Sequence, residues 1–354
     1  MTPGRSRRTQ DYDESDVRIR PNPRGSRPRS KDRPTHGDAV HGMVTGIDRG
    51  RFAVLVPRSG RRSPERIVVA MKARELGRRG IVVGDEVGIV GDTSGSPDAL
   101  ARIVRLTQRR TVLRRSADDT DPVERVIVAN ADQLAVVTSL ANPEPRPRLI
   151  DRCLVAAYDA GLDPLLVLTK ADLTGPEDFL ANYAPLEVPY VVTSTSPDEA
   201  SASGETVHGI EELRERLAGR VSVLVGHSGV GKSTLVNALV PDAARAVGGV
   251  NLVTGRGRHT STSVVALRLA GGGWVMDTPG VRSFGLAHVD PDRIIEHFPD
   301  LEPGTENCPR GCTHDEEECA LDEWVASGKA GPAGASRLES LRRLLRSRGG
   351  EHGD

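Results

Sequence analysis

Residues 221–241 read VSVLVGHSGVGKSTLVNALVP. The apolar β-branched run predicts a strand, a glycine loop follows it, and the apolar spacing beyond predicts a helix. From Gly226 to Ser233 the loop fits G-x-x-x-x-G-K-[ST], whose backbone N–H groups wrap phosphates at a helix N-terminus. Its candidate phosphate-binding residues are Gly226, His227, Ser228, Gly229, Val230, Gly231, Lys232, Ser233 and Thr234. Lys232 is expected to reach the outer phosphates and the Ser233 hydroxyl a Mg²⁺ ion. A cradle of this kind does not say which nucleotide it holds, so the base reader has to be sought elsewhere.

Downstream, DTPG at 277–280 closes an apolar strand and has the form D-x-x-G. As in the D-x-x-G motif it resembles, Asp277 is expected to face the Mg²⁺ shell and the Gly280 N–H to meet the terminal phosphate. Between the two, GRGRHTSTS at 255–263 offers Thr260 and Thr262 as further Mg²⁺ ligands. No N-K-x-D follows. The nearest match, TKAD from Thr169 to Asp172, lies upstream at the end of the apolar run PLLVL. Asp172 can accept from both N1–H and the 2-amino group of guanine. Adenine has neither donor, and an unpaired polar group discriminates strongly. The Lys170 stem would pack on the base, with Ala171 beside it. Thr169 stands where asparagine is usual, and its hydroxyl can donate to the base. TSTS at 193–196 supplies the backbone contact to the guanine oxygen, through Thr193 and Ser194.

The rest of the chain is read from this centre. No apolar run among its 354 residues approaches the ~18 needed to cross a bilayer. The opening MTPGRSRRTQ is not followed by an apolar segment, so a soluble cytoplasmic protein is expected. Residues 1–115 hold 26 Lys and Arg against 13 Asp and Glu, a formal +13, the footprint of a polyanionic partner. Residues 1–36 are Arg-, Pro- and Ser-rich and are expected to be disordered. From His41, short alternating runs with turns predict a small barrel. Its loops carry Arg58, Arg61, Arg62, Arg78 and Arg79, and Phe52 is its one aromatic. Base stacking is therefore not expected, and the phosphate surface of folded RNA is. Beyond residue 113, strand–helix repetition predicts a parallel sheet flanked by helices. Cys308, Cys312, His314 and Cys319, in NCPRGCTHDEEECA, make a three-thiol, one-imidazole set suited to a closed structural zinc site. In the last helix, Leu338, Leu341, Leu344 and Leu345 are expected to dock on that segment. Arg337, Arg342, Arg343, Arg346 and Arg348 are expected to face RNA.

The motifs thus run base reader, phosphate loop, metal loop, D-x-x-G, an order that resembles the circularly permuted GTPases. GHSGVGKSTLVNAL, GRGRHTSTS and DTPGVRSFGL, with a barrel before them and a Cys/His segment behind, resemble the RsgA (YjeQ) family over roughly residues 38–345. The resemblance implies an α/β P-loop GTPase domain, circularly permuted, with an N-terminal all-β OB-fold barrel and a small C-terminal zinc-binding helical domain. The corresponding divisions are a basic tail at 1–36, the barrel at 37–112, the GTPase domain at 113–289 and the zinc segment at 290–354. Also implied are GTP hydrolysis stimulated by the small (30S) ribosomal subunit, a late role in maturing it, and contact with 16S rRNA. One zinc per chain, Mg²⁺ with GTP, and a monomer complete the expectation. Val281 follows DTPG where many GTPases place a water-orienting glutamine, which valine cannot replace. His259 is implied in that role. Two other readings are an ATP-dependent nucleic-acid enzyme, against which TKAD and DTPG argue, and a non-catalytic RNA-binding chaperone, which Val281 leaves open.

Overall fold

The alternating runs near the N-terminus close on themselves. In the computed structural model, residues 36–60, 64–77, 79–115, 125–197, 205–241, 264–278, 286, 289 and 291–348 are described. Strands β1 (Val40–Asp48), β2 (Arg51–Val56), β3 (Arg66–Lys72), β4 (Glu86–Gly91) and β5 (Ala101–Leu106) pair in the order β1-β2-β3-β5-β4, and β4 returns to β1. The β3–β5 pair is parallel and the others antiparallel, an OB-like five-stranded barrel. Alternate residues point inward, so Val54, Val68, Val87, Ile89 and Ile103 fill its core, each 0% exposed. Phe52 is buried on that inner side, which takes the barrel's aromatic out of reach of any base.

A short pair, β6 (Val112–Arg115) and β7 (Arg125–Ala129), leads into the α/β body. There follow β8 (Gln133–Ser139), α1 (Pro147–Ala160), β9 (Asp163–Thr169), α2 (Glu177–Tyr183) and β10 (Tyr190–Val192). Next come the hairpin β11 (Ser194–Pro197) and β12 (Glu205–His208), then α3 (Ile210–Leu217), β13 (Val221–Val225), α4 (Lys232–Leu239), β14 (Val265–Arg268) and β15 (Trp274–Asp277). The sheet order is β10-β9-β8-β13-β15-β14, parallel except for β14. Strand β13, which feeds the phosphate loop, sits in the middle. Within the body, strands later in the chain lie on one side of it and strands earlier in the chain on the other. A sheet laid down outward from its phosphate-loop strand would place later strands on both sides, so this connectivity is permuted.

Both faces of the sheet are covered, which is why its strands are continuously apolar. Leu134, Val136, Leu166, Leu168, Val223 and Val225 pack toward α1 and α2, and Ala135, Val137, Leu165, Val167 and Leu224 toward α3 and α4. Barrel and body are joined through backbone: β1 pairs with the edge strand β14 at Gly46 and Val265. Gly84, at φ +90°, lies where a Cβ would come 2.0 Å from the Ala129 carbonyl oxygen, so only glycine fits. Nearby, Arg109 donates to Asp85 at 2.7 and 2.8 Å and to the Gly80 carbonyl at 2.8 Å.

After α5 (Pro291–Ile295) a 3₁₀ turn spans Glu302–Asn307, followed by α6 (Ala320–Ala326) and α7 (Gly334–Arg348). The leucine stripe of α7, expected to dock on the zinc segment, also packs on α1. Leu338, Leu341, Leu344 and Leu345 share one core with Leu154, Phe298 and Leu321. Periodicity reveals the apolar face, and the partner comes from a helix far upstream.

Candidate functional site

Strand β13 delivers the chain to Gly226, where a Cβ would fall 2.2 Å from the Val137 carbonyl oxygen of the neighbouring strand. Gly229 (φ +85°) and Gly231 (φ +94°) take left-handed turns that L side chains avoid, and α4 begins at Lys232. The Lys232 ammonium donates to the carbonyls of Gly226 at 2.6 Å and His227 at 3.0 Å. Asp277 ends β15, in register with Leu224 of β13, beside the root of the loop. Burial raises the Asp277 carboxyl, and the Lys232 charge partly offsets it. Burial likewise lowers Lys232 against the pull of Asp277. Two opposite charges held at the edge of the interior suit a ligand that brings its own phosphates and cation. Thr278, 1% exposed, donates to the Leu224 carbonyl at 2.7 Å and fixes the end of β15 against β13.

On the other side of the loop, β9 ends at Thr169 and the chain turns through Lys170 at φ +61°. The Ala171 N–H donates to the Thr193 carbonyl at 3.1 Å, and the Thr193 N–H to the Leu168 carbonyl at 2.7 Å. Asp172 Oδ1 accepts from the Thr195 N–H at 3.1 Å, so TKAD and TSTS form one bonded unit. Thr169 is buried, and its hydroxyl donates to the Val230 carbonyl inside the phosphate loop at 2.6 Å. Lys170 Nζ donates to the Asn142 carbonyl. The fold thus brings together Thr169, Lys170, Ala171, Asp172, Thr193 and Ser194 with the loop that begins at Gly226. His259, Thr260, Thr262 and Gly280 lie outside the described residues.

In the C-terminal segment Cys308 Sγ is 3.7 Å from His314 Nδ1 and 3.9 Å from Cys319 Sγ, and Cys319 Sγ is 4.0 Å from His314 Nδ1. With Cys312 included, all four donor atoms lie within 4.8 Å of one another. A tetrahedron with metal–sulfur bonds near 2.3 Å has edges of roughly 3.8 Å, so this donor set fits a four-coordinate metal ion. The Arg342 Nε donates to the His314 carbonyl at 3.0 Å, tying the cluster to α7.

Four of the α7 arginines expected to face RNA, Arg337, Arg342, Arg343 and Arg346, are engaged within the chain. Arg337 donates to both Asp300 oxygens at 2.9 and 2.7 Å, and to Glu187 at 3.0 Å. Arg342 grips Asp322 at 2.9 and 2.6 Å. Arg343 lies 3.1 Å from Asp151, and Arg346 reaches Asp315 at 2.8 Å. On the barrel, Arg58 and Arg79 are exposed, and Arg58 Nε makes a long 3.3 Å bond to the Gly60 carbonyl. Arg61, Arg62 and Arg78 lie outside the described residues. Three contributors escape sequence reasoning: Thr278 as a clamp, the Asn142 carbonyl under Lys170, and the Val230 carbonyl under Thr169. The first lies inside a quoted motif; the other two are backbone atoms, which no side-chain pattern marks.

Residues 106–287 match a family model described as RsgA GTPase. The chain is 41% identical over 223 residues to the Small ribosomal subunit biogenesis GTPase RsgA of Ectopseudomonas mendocina, covering 62% of this chain and 63% of that protein. It thus spans less than two thirds of that relative's length. It is 34% identical to the protein of the same name from Chlorobaculum parvum, over 88% of this chain and 98% of the relative. The crystal structure of YjeQ from Thermotoga maritima is 27% identical and superposes at a TM-score of 0.58, covering 88% of this chain and 99% of its own. YloQ, described as a circularly permuted GTPase, is alike in fold, at 22% identity and a TM-score of 0.59, over 91% of this chain and 100% of its own.

Proposed function

The chain belongs to the RsgA GTPase family, and on that premise we propose that it hydrolyses GTP in the maturation of the small ribosomal subunit. The observation that carries this reading is the bonded unit of TKAD and TSTS beside the phosphate loop, with the Asp172 carboxylate exposed and one of its oxygens held by the Thr195 N–H. Guanine supplies the two donors that a carboxylate there needs, and adenine supplies none.

In this reading Lys232 transfers its ammonium from the loop carbonyls to the outer phosphates, and the loop N–H groups from Gly226 to Thr234 close around them. Ser233, Asp277, Thr260 and Thr262 would hold a Mg²⁺ ion, which would supply positive charge against the phosphates. The Gly280 N–H meets the terminal phosphate. Valine at 281 cannot place the attacking water, so His259 does, and hydrolysis is slow until the small subunit completes the site. Cys308, Cys312, His314 and Cys319 hold one zinc, a closed site with a structural role. Arg58, Arg61, Arg62, Arg78 and Arg79 meet phosphates of 16S rRNA. The working divisions are a tail at 1–36, a barrel at 37–112, the GTPase domain at 113–289 and a zinc segment at 290–354, acting as a cytoplasmic monomer.

The test is nucleotide turnover by the full chain, alone and with purified 30S subunits. We expect GTP turnover to rise at least about tenfold with subunits, a lowering of the barrier by about 1.4 kcal/mol. GTP turnover unchanged by subunits rejects the proposal. GTP bound but never turned over leaves a non-catalytic RNA chaperone, and turnover of ATP an ATP-dependent one.

A further inference from the structure

Thr169 closes β9 with its side chain 4% exposed. Its hydroxyl oxygen lies 2.6 Å from the Val230 carbonyl and 3.3 Å from the Thr138 carbonyl. Both partners are acceptors, and a hydroxyl has one proton to give. The shorter bond takes it. Gly231 stands against the same side chain, where a Cβ would come 3.6 Å from Thr169 Oγ1. Val230 and Gly231 immediately precede Lys232, so the hydroxyl holds the part of the loop that aims the ammonium.

We infer that Thr169 is a positioning residue which ties the phosphate loop to the base-reading strand and leaves guanine N7 unread. The base edge at N7 only accepts, so it can use neither a lone pair of the hydroxyl nor a proton already given to Val230. An asparagine amide at this place has two N–H groups and can serve a loop carbonyl and a base together. Threonine has one, and the geometry gives it to the loop. Guanine selection therefore falls on Asp172 and the backbone of the Thr193 turn. This inference rests on the guanine-nucleotide reading of the pocket.

The experiment compares GDP, 7-deaza-GDP and ADP binding to the full chain as wild type, Thr169→Val and Thr169→Ser. In 7-deaza-GDP a C–H replaces N7 and nothing else changes. Wild type should bind GDP and 7-deaza-GDP within about twofold of each other. Thr169→Val should weaken both alike, by about tenfold, because it leaves the buried Val230 carbonyl unpaired. Thr169→Ser, which keeps the hydroxyl, should restore both. Wild type binding 7-deaza-GDP about tenfold more weakly than GDP overturns the inference, since N7 is then read. Thr169→Val binding both nucleotides as wild type does overturns it as well, since the tie then holds nothing. The N7 comparison needs no substitution, so it decides the matter even where Thr169→Val fails to fold. ADP binding as tight as GDP binding is a different failure: it removes the guanine reading, and this inference with it.

Discussion

On the barrel, Arg58 and Arg79 reach into solvent, and among the described residues Arg58 has only a long bond to a neighbouring carbonyl. On α7, Arg337 is buried between Asp300 and Glu187 with its guanidinium over the Phe298 ring, and Arg342 spans Asp322 and the His314 carbonyl. In sequence the two sets look alike. In the fold one set is available to a partner and the other is spent on holding the C-terminal helix to the body. A count of basic residues measures the field around a protein; it does not say which charges remain to be used.

The comparison is broken or sharpened by removing its members in turn. The largest effect is expected from the Cys308, Cys312, His314 and Cys319 cluster that α7 grips. Cys319→Ser should abolish metal binding, and with it the folding free energy that such sites supply, on the order of 10 kcal/mol at neutral pH. Elemental analysis of wild type should find one zinc per chain, and finding none would remove the metal from the account. Arg337→Ala should cost about 3 kcal/mol, read from urea midpoints, because Asp300 then keeps a partly buried charge without its partner. An unchanged midpoint would place Arg337 with the barrel set. Arg342→Ala should cost about 1 kcal/mol, since its carboxylate partner is half exposed and well screened. The smallest effect on stability belongs to Arg58→Ala with Arg79→Ala, which should leave the urea midpoint where it was. Their effect should appear in rRNA binding: weaker affinity, and a salt dependence shallower by about one unit of slope for each phosphate no longer neutralised. Unchanged rRNA affinity would mean that the exposed set is not the one in use.

The phosphate loop was legible because its chemistry is written in consecutive residues, and Gly226 and Gly231 stand where backbone geometry demands them. The permuted order was legible too, because TKAD precedes the loop and DTPG follows it. The barrel followed from alternation and turns. What could not be read was pairing at a distance. The carboxylates that engage Arg337 and Arg343 lie at Asp300 and Asp151, and nothing near α7 announces them. The Thr169 hydroxyl had the same ambiguity: its acceptor is a main-chain oxygen 61 residues later. Side-chain pattern fixes which groups are present, and tertiary packing decides how they are used.

The most direct test of the central claim, that a base reader lying upstream in sequence serves this phosphate loop, is nucleotide selectivity of Asp172→Asn. Wild type should prefer GDP strongly over XDP, and the variant should shift that ratio toward XDP by roughly a hundredfold or more, as expected where a matched pair of hydrogen bonds to the base is removed. A variant that keeps its full preference for GDP would contradict the account, because Asp172 would then not be the residue that reads the base.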